Sequence, residues 1–560
     1  MEKLPLALVY DLSKVVPYKT GSWRTLMPVN IMQTPPCTYS CPSSNDIRGF
    51  LRVLAEKQDY DEAWHVLTRT NPLPATCGRV CPHPCEAGCN RRDFDTPLAI
   101  NSAERAVGDY GLEHNLKHKK LISKRKEKVA VVGSGPAGLS CAFHLAKRGF
   151  QVKIFEGNSE PGGWMRYGIP SYRLPNYILK QEIDKILEIG IELECNVKVG
   201  VNIPMDQLTR DYNAVFLGLG AQIGTSIKIP GEDAQNVFTG VEFLKLINSG
   251  QIVEIGKDVV VIGGGNTAMD CARVTKRLGA NVSVFYRRTR VEMPAITAEI
   301  DEAMEERIMF RYHTNPVKII TDEDRVVGLL CGQMELKEPD ASGRARPVPI
   351  EGSESVYPAD TVIMATGQAV DYAGVEIQKR DDQWISTNED LMTSMDGVFA
   401  GGDAVLGLET VTTAIGQGMR AASAIEDYIE GNVESRLSQP PVIYSKDLNT
   451  YYYAQKKRFS KEAVSIHTRL KSFKEIYPSF DPKDIIKEAE RCLSCGLCFD
   501  CGNCYMYCPD NAVKISSSTG RYEFDLDFCK GYEFDLDFCK GCGLCAKECP
   551  CHYIQMTLEK

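Results

Sequence analysis

The sequence predicts an α/β fold built around two βαβ units, with a cysteine-rich domain at each end of the chain. Strand, glycine turn, helix and strand follow one another from residue 128 and again from residue 257. Of the 22 cysteines, six lie between Cys37 and Cys89 and twelve lie between Cys492 and Cys551. A chain of 560 residues is also too long for one hydrophobic core, so we expect about three or four domains.

Composition narrows the function classes. The net charge of -9 argues against a nucleic-acid surface, and no apolar stretch approaches the roughly 18 residues of a membrane span. The first residues show no basic run followed by a small-residue cleavage site. Clumped cysteines then indicate metal or cluster ligands rather than disulfides. We expect a cytoplasmic protein.

The first βαβ unit has the pattern of a Rossmann-like dinucleotide site. Gly133, Gly135 and Gly138 form GxGxxG between a strand and a helix, and Glu156 closes the second strand. The glycines permit a tight turn and close approach of a pyrophosphate, and the acid can accept both ribose hydroxyls.

The second unit repeats this arrangement, with Gly263, Gly265 and Ala268 around Asn266 and Thr267. Its second strand ends in Arg287 and Arg288, where an acid would select an unphosphorylated ribose. Arginines can pair with a 2′-phosphate, which favours NADP(H) over NAD(H). The alternative is that these arginines face water or the pyrophosphate.

The tail contains two runs of the form C-x2-C-x2-C-x3-C-P, typical of paired bacterial-type [4Fe–4S] clusters in which the fourth cysteine ligates the other cluster. This pattern predicts an α+β domain of the bacterial ferredoxin type. One run ends at Pro509 and the other at Pro550. Cys492 and Cys495 are left over, either to join an extra site or to cap the helix that enters the domain. The expected ligand sets are Cys498, Cys501, Cys504 and Cys549 for one cluster, and Cys539, Cys542, Cys545 and Cys508 for the other.

A decapeptide that begins at Tyr522 is repeated without change from Tyr532. Only the second copy leads directly into a complete ligand run, so Cys539 is predicted to be a ligand and Cys529 a passenger. Lengthening a loop costs little, roughly 0.6 kcal/mol per doubling, and we expect the domain to fold despite the first copy.

Longer motifs carry a family resemblance. The segments PGGWMRYGIPSYRLP (161–175), ATGQ (365–368), GVFAGGDAV (397–405) and ETVTTAIGQGMRAA (409–422) resemble the NADPH-dependent small subunit of glutamate synthase and its relatives. The resemblance covers about residues 30–430. It implies FAD in the first unit and a nicotinamide domain inserted into the FAD domain. It also implies contacts to FAD from Gly163, Arg166, Gly402, Asp403 and Thr412.

The same resemblance assigns the N-terminal cysteines. Its members carry two clusters here and draw on two cysteines upstream of the CxxxCP pair, which this chain lacks. We therefore expect one or two clusters. For the inner cluster the resemblance implies Cys41, Cys81, Cys85 and, as a non-cysteine ligand, Glu104. Cys37 and Cys89 match the outer cluster or complete a rearranged single site.

These features predict an NAD(P)H-dependent FAD and iron–sulfur oxidoreductase that exchanges electrons with a ferredoxin or a larger catalytic subunit. Hydride transfer to flavin needs no side-chain acid or base, so no catalytic residue is assigned. The alternatives are the glutamate synthase β subunit itself and a non-catalytic subunit that only wires electrons between partners. The expected domains are a helical iron–sulfur domain (1–125), the FAD domain (126–256 and 362–432), the NAD(P) domain (257–361), a linker (433–490) and the ferredoxin-like domain (491–560).

Overall fold

The computed structural model describes residues 20–119, 125–339, 343–432, 440–515 and 532–559. The N-terminal domain is helical, as predicted. Asp46 and Asp59 cap two of its helices by accepting hydrogen bonds from the backbone N–H groups of Gly49 and Glu62, both at 2.9 Å. Its elements are β1 (Leu26–Asn30), α1 (Pro36–Tyr39), α2 (Ile47–Lys57), α3 (Tyr60–Leu67), α4 (Pro74–Val80), α5 (Pro84–Ala87) and α6 (Ile100–Glu113).

The first βαβ unit belongs to a five-stranded parallel sheet. Its strands are β2 (Lys128–Val132), β3 (Gln151–Glu156), β4 (Glu192–Cys195), β5 (Ala214–Leu217) and β17 (Val398–Ala400), in the order β17-β5-β2-β3-β4. The central strands β2 and β5 are near-continuous apolar runs because helices cover both faces of the sheet. Those helices are α7 (Pro136–Lys147), α8 (Trp164–Tyr167), α9 (Asn176–Leu187), α10 (Met205–Asp211), α14 (Asp403–Leu406) and α15 (Val411–Glu430).

The second βαβ unit lies in another five-stranded parallel sheet. Its strands are β7 (Val237–Thr239), β8 (Asp258–Ile262), β9 (Asn281–Phe285), β10 (Met309–Arg311) and β15 (Thr361–Met364), in the order β10-β9-β8-β15-β7. The expected boundaries at 257 and 362 differ from this sheet, because β7 and most of β15 fall outside them. Both pairings are parallel, and parallel partners need not be near in sequence.

Helices α11 (Gly240–Asn248), α12 (Asn266–Arg277) and α13 (Thr297–Glu305) accompany the second sheet. The domain also carries an antiparallel sheet of β11 (Thr314–Asp322), β12 (Arg325–Pro339), β13 (Ala345–Pro349) and β14 (Ser355–Pro358). The two segments that connect the FAD domain to the NAD(P) domain pair with each other in a short antiparallel ladder of β6 (Ile223–Gly224) and β16 (Gln368–Ala369).

The segment expected to be a linker crosses the other domains and adds to their cores. Within it are α16 (Ile466–Lys471) and α17 (Pro482–Ala489). Ile485 and Ala489 of α17 are fully buried in the core of the N-terminal domain. The expectation of a linker is therefore wrong for α17, whose apolar face is covered by α2 and α6.

The tail has the α+β character that its cysteine runs predict. It contains α18 (Asn503–Met506), β18 (Val513–Ile515), β19 (Tyr532–Phe534), α19 (Leu544–Lys547) and β20 (Ile554–Leu558). β20 pairs antiparallel with β1, so the two ends of the chain meet in one sheet. None of the described helices is both long and apolar enough to cross a membrane.

The repeated decapeptide is described only in its second copy. β19 begins that copy and pairs antiparallel with β18, with Val513 opposite Phe534. The first copy, which includes Cys529, lies outside the described residues.

We predict that removing the first copy leaves the tail intact. Deletion of residues 522–531 and the substitution Cys529→Ser should both preserve the iron content of the purified protein. Cys539→Ser should lower it, because Cys539 is the first position of a complete ligand run. Iron content and the electron paramagnetic resonance (EPR) spectrum of the reduced protein provide the measurement. Loss of iron in the Cys529 variant would contradict the assignment.

Candidate functional site

The first glycine turn forms an open cradle at the start of α7. Gly133 has φ of +92°, and a Cβ there would overlap the carbonyl oxygen of Gly218. A Cβ at Gly138 would overlap the carbonyl oxygen of Gly133, whereas Gly135 meets only the Cα of Gly163, 4.0 Å away. The turn is therefore closely packed at Gly133 and Gly138, whereas the space beside Gly135 is open. Backbone N–H groups at a helix N-terminus facing such an opening can bind a pyrophosphate.

A cleft runs along this cradle, and most of the predicted FAD residues line it. Its lining includes Gly133, Gly135, Glu156, Gly163, Gly402 and Asp403. Burial raises the pKa of Asp403 to about 6. Its Oδ1 accepts a hydrogen bond from the Glu409 backbone N–H at 3.3 Å. Because Glu409 uses only this oxygen, Asp403 can also accept a hydroxyl from a ligand in the cleft.

Glu156 is buried at the end of β3 and is already well supplied with donors. Its Oε2 accepts from the Ser134 N–H (2.9 Å) and hydroxyl (2.5 Å). Its Oε1 accepts from the Asn158 N–H and side-chain Nδ2, both at 2.8 Å. A carboxylate has about four acceptor positions, so a ribose hydroxyl would replace one of these donors. The rotatable Ser134 hydroxyl is the simplest to displace.

Three predicted FAD residues do not line the cleft: Gly138, which packs behind the turn, Arg166 and Thr412. The Arg166 Nε donates to the Pro161 carbonyl at 2.6 Å, which supports the loop before α8. Thr412 points away from the cleft, and its hydroxyl lies 3.9 Å from the Cys77 sulfur. The hydroxyl of Thr412 also lowers the pKa of Cys81, although burial raises that pKa to about 12 overall.

The first turns of α15 therefore separate the flavin cleft from the N-terminal cysteines. Val411 and Ala414 line the cleft, while Thr412 faces the cysteines. Gly416 lies against the backbone just after Cys41, since a Cβ there would overlap the Pro42 carbonyl oxygen. One helix thus forms the wall between the two sites.

The inner cysteine group gathers around Glu104 on α6. Cys41, Cys81 and Cys85 are buried, and the charge of Glu104 raises the pKa of each, although burial is the larger cause. Burial also raises the pKa of Glu104 itself to about 8. Both of its hydrogen bonds, from Asn45 (3.1 Å) and Asn71 (2.9 Å), end on Oε1.

Among the described residues no hydrogen bond reaches Oε2 of Glu104. Three buried thiols and one carboxylate oxygen fit a cluster with one non-cysteine ligand, because an iron centre would compensate the buried charge. Cys77, for which the sequence predicts no ligand role, is buried beside this group, and its thiol donates to the Asn71 side-chain oxygen at 3.8 Å.

The second glycine turn is open in the same way. Gly263 has φ of +139° and lies against the Ala365 carbonyl, while a Cβ at Gly265 would meet no atom within 4 Å. Asn266 and Thr267 begin α12, and their side chains accept from the Ile296 N–H (2.9 Å) and the Gln368 amide (3.1 Å). Ala268 is fully buried. Gln368 of the ATGQ motif thus orients the turn.

The two arginines at the end of β9 face in opposite directions. Arg288 is 3% exposed, and its Nε donates to the Ala345 carbonyl at 2.7 Å. Arg287 is exposed and makes no hydrogen bond or ion pair with the part of the chain that the structure describes. Arg287 is therefore available for a 2′-phosphate. Arg288 instead connects the end of β9 to β13.

A buried ionic network joins the two nucleotide domains. Arg173, in the SYRLP stretch, bonds Asp270 of α12 at 2.8 Å and Glu299 of α13 at 2.9 Å. The guanidinium of Arg277 lies 3.8 Å from the ring centroid of Tyr172. Breaking such a pair leaves an uncompensated buried charge, which typically costs about 3–5 kcal/mol. The network fixes one domain against the other.

The tail brings its two predicted ligand sets to two separate cavities. Cys551, which the run pattern does not assign, lies within 3.8 Å of Cys549 and adds a further sulfur to the first cavity. The first cavity is lined by Cys498, Cys501, Cys504 and Cys549, and the second by Cys508, Cys539, Cys542 and Cys545.

Cys37 and Cys89 do not join the inner group. They line a third cavity together with Cys492 and Cys495, from the opposite end of the chain. The spacing C-x2-C of the last two was visible in the sequence, but nothing local indicated their partners.

Two glycine-turn cradles on parallel sheets and cysteine groups at both ends define a two-dinucleotide oxidoreductase with iron–sulfur domains. The chain belongs to the pyridine nucleotide-disulphide oxidoreductase family, which matches residues 127–418. Residues 31–116 match dihydropyrimidine dehydrogenase domain II, 4Fe-4S cluster, and residues 497–553 match the 4Fe-4S dicluster domain. The protein is thus an FAD-dependent NAD(P)H oxidoreductase with [4Fe–4S] clusters at both ends.

Named relatives agree with the predicted resemblance. The chain is 37% identical over 501 residues to the NADP(+)-dependent formate dehydrogenase subunit beta of Moorella thermoacetica, covering 82% of this chain and 70% of that protein. It is 34% identical over 421 residues to the glutamate synthase [NADPH] small chain of Escherichia coli, covering 71% and 89%. The resemblance to the glutamate synthase small subunit is confirmed.

A solved structure supports the fold alone. Mycobacterium tuberculosis FprA in complex with NADPH matches 55% of this chain and 85% of its own, with a TM-score of 0.50 and 21% identity. No disulphide is formed among the described cysteines.

We predict that Gly416→Ala disturbs the wall between the flavin cleft and the inner cysteines. The added methyl would overlap the Pro42 carbonyl, and overpacking of this kind costs about 1–3 kcal/mol. Stopped-flow absorbance should show slower electron transfer from flavin to clusters, with a lower thermal unfolding midpoint. Arg420→Ala, on an exposed position of the same helix, should change neither. Equal behaviour of the two variants would contradict the packing argument.

Proposed function

We propose that this chain is the electron-input subunit of a larger redox complex and takes its electrons from NADPH. When bound, FAD accepts a hydride from NADPH and releases electrons singly, as clusters require. The protein's own part is alignment: Gln368 holds the second turn, Asp403 offers an acceptor in the cleft, and α15 keeps the inner cysteines behind the flavin.

The position of α15 is the observation that carries this proposal. The Thr412 side of this helix contacts the inner cysteines, while its Val411 and Ala414 line the cleft, so a single helix lies between the flavin and this cluster site. Relatives named as β subunits of formate dehydrogenase and of an NADPH-Fe(3+) oxidoreductase support a catalytic partner chain. The described residues form no further domain for an organic substrate. We place the protein in the cytoplasm, where thiols stay reduced.

The test is reduction without oxygen. Stopped-flow bleaching of the flavin should be faster with NADPH than with NADH, and the EPR signals of reduced clusters should follow. Dye reduction that depends on NADPH should accompany the bleaching. No bleaching by either nucleotide would support a subunit that only wires electrons between partners.

Arg287→Ala should weaken the use of NADPH selectively. A charge-assisted hydrogen bond contributes about 1.5–3 kcal/mol, so kcat/KM for NADPH should fall roughly 10- to 150-fold. The value for NADH should change little, since it has no 2′-phosphate. Arg325→Ala, an exposed arginine on β12, is the matched control. Equal losses with both nucleotides would remove Arg287 from the phosphate site.

A further inference from the structure

The third cysteine cavity is assembled from both ends of the chain. Cys37 is in α1 and Cys89 follows α5, whereas Cys492 and Cys495 follow α17. The matched 4Fe-4S domain families end at residue 116 and begin at residue 497, so neither contains all four cysteines.

The size of this cavity matches that of the tail cavities. Its empty volume is about 360 Å³, against about 390 Å³ and about 320 Å³ for the two cavities lined by the ferredoxin-type runs. Each of the three is lined by at least four cysteines. The same kind of group therefore fits all three.

The chemistry of the donors restricts that group. Four thiolates select zinc or an iron–sulfur cluster. A single zinc ion would gather its sulfurs tightly, with Zn–S bonds of about 2.3 Å. No group of three or more His, Cys, Asp or Glu side chains converges on one ion in the described ranges. The matched volume, and the four-cysteine lining that this cavity shares with the two tail cavities, favour a cluster.

We propose that Cys37, Cys89, Cys492 and Cys495 hold a further [4Fe–4S] cluster that bridges the N-terminal domain and the tail. Cys492 and Cys495 thereby take the place of the two cysteines that are absent upstream of Cys37.

The surroundings suit an anionic cluster. Arg48 is buried, and its Nη1 donates to the Cys495 carbonyl at 2.5 Å and to the Gln33 carbonyl at 3.1 Å. The Asn90 amide lies 3.5 Å from the Cys495 sulfur and can donate to it. The buried Arg91 donates to the Arg491 carbonyl, just before Cys492. Buried cations and N–H donors stabilise negative charge on thiolate and sulfide.

The ligands of the bridging site are also close in sequence to ligands of the inner site and of the first tail cavity. Cys37 and Cys41 are four residues apart, as are Cys85 and Cys89, and these pairs connect it to the inner site. Cys495 is three residues from Cys498 of the first tail cavity, so their Cα atoms are at most about 11 Å apart. A relay from the inner site through the bridging site to the tail follows. This relay role rests on the proposed function, whereas the site itself does not.

The experiment counts iron in the full chain purified without oxygen. Four clusters of four irons correspond to about 16 irons per chain. Cys37→Ala and Cys495→Ala, from opposite ends of the chain, should each lose about four irons and the same EPR component. Cys195→Ala, a half-buried thiol outside every cysteine group, should lose none. Flavin bleaching by NADPH should persist in all three variants, while reduction of the tail clusters slows in the first two.

Three outcomes would overturn the site. They are about 12 irons in the unaltered chain, a zinc ion that is lost in both variants, or loss of different EPR components from the two variants. A full iron count with both variants deficient in the same component supports the site even where NADPH fails to bleach the flavin, which would remove only the relay role.

Discussion

The pairing of β1 with β20 is the constraint on which the arrangement of the cysteines depends. Five residue pairs, from Leu26 with Leu558 to Asn30 with Ile554, hold the two ends of the chain in one ladder. Two glycines let the backbones come together there, since a Cβ at Gly541 would overlap the Leu26 carbonyl and one at Gly496 would crowd Gln33. With the ends fixed, Cys37 can lie beside cysteines more than 450 positions further on.

Buried arginines also hold the N-terminal domain against the tail in one fixed arrangement. Arg52 donates to the Cys498 carbonyl at 2.8 Å, one helical turn from Arg48. Arg491 is 1% exposed and pairs with Glu488 at 2.6 Å and Asp95 at 3.0 Å. Removing one partner of such a buried pair typically costs about 3–5 kcal/mol. The domains are therefore held by specific contacts, as short-range electron transfer between them needs.

Features set by local pattern could be predicted from the sequence, and features set by distant contacts could not. Each glycine turn and each tail ligand run can be recognised from one short, continuous segment of the sequence. The opposite directions of Arg287 and Arg288 could not be predicted in this way, because both residues follow the end of β9, where two successive residues are buried. The positions of Thr412 and Gly416 follow from helical spacing once one face of α15 is known to line the cleft.

No local sequence pattern predicts the pairing of β1 with β20, because a strand of five residues has many equivalent partners in a chain of this length. The same reason explains why the sequence predicts a linker where α17 lies. Its apolar face was visible, but the surface that covers it belongs to α2 and α6.

The bridging cavity follows from these distant contacts. A site whose ligands come from one short segment needs only that segment to fold, whereas this one needs both ends of the chain to be docked. The ladder and the arginine bonds meet that requirement without the cysteines, because they are made by backbone and by charged side chains. Such contacts preorganise the four thiols, and preorganisation of this kind reduces the entropy lost on binding. Cluster and interface then stabilise each other, since a group that binds only the docked state shifts the equilibrium toward it.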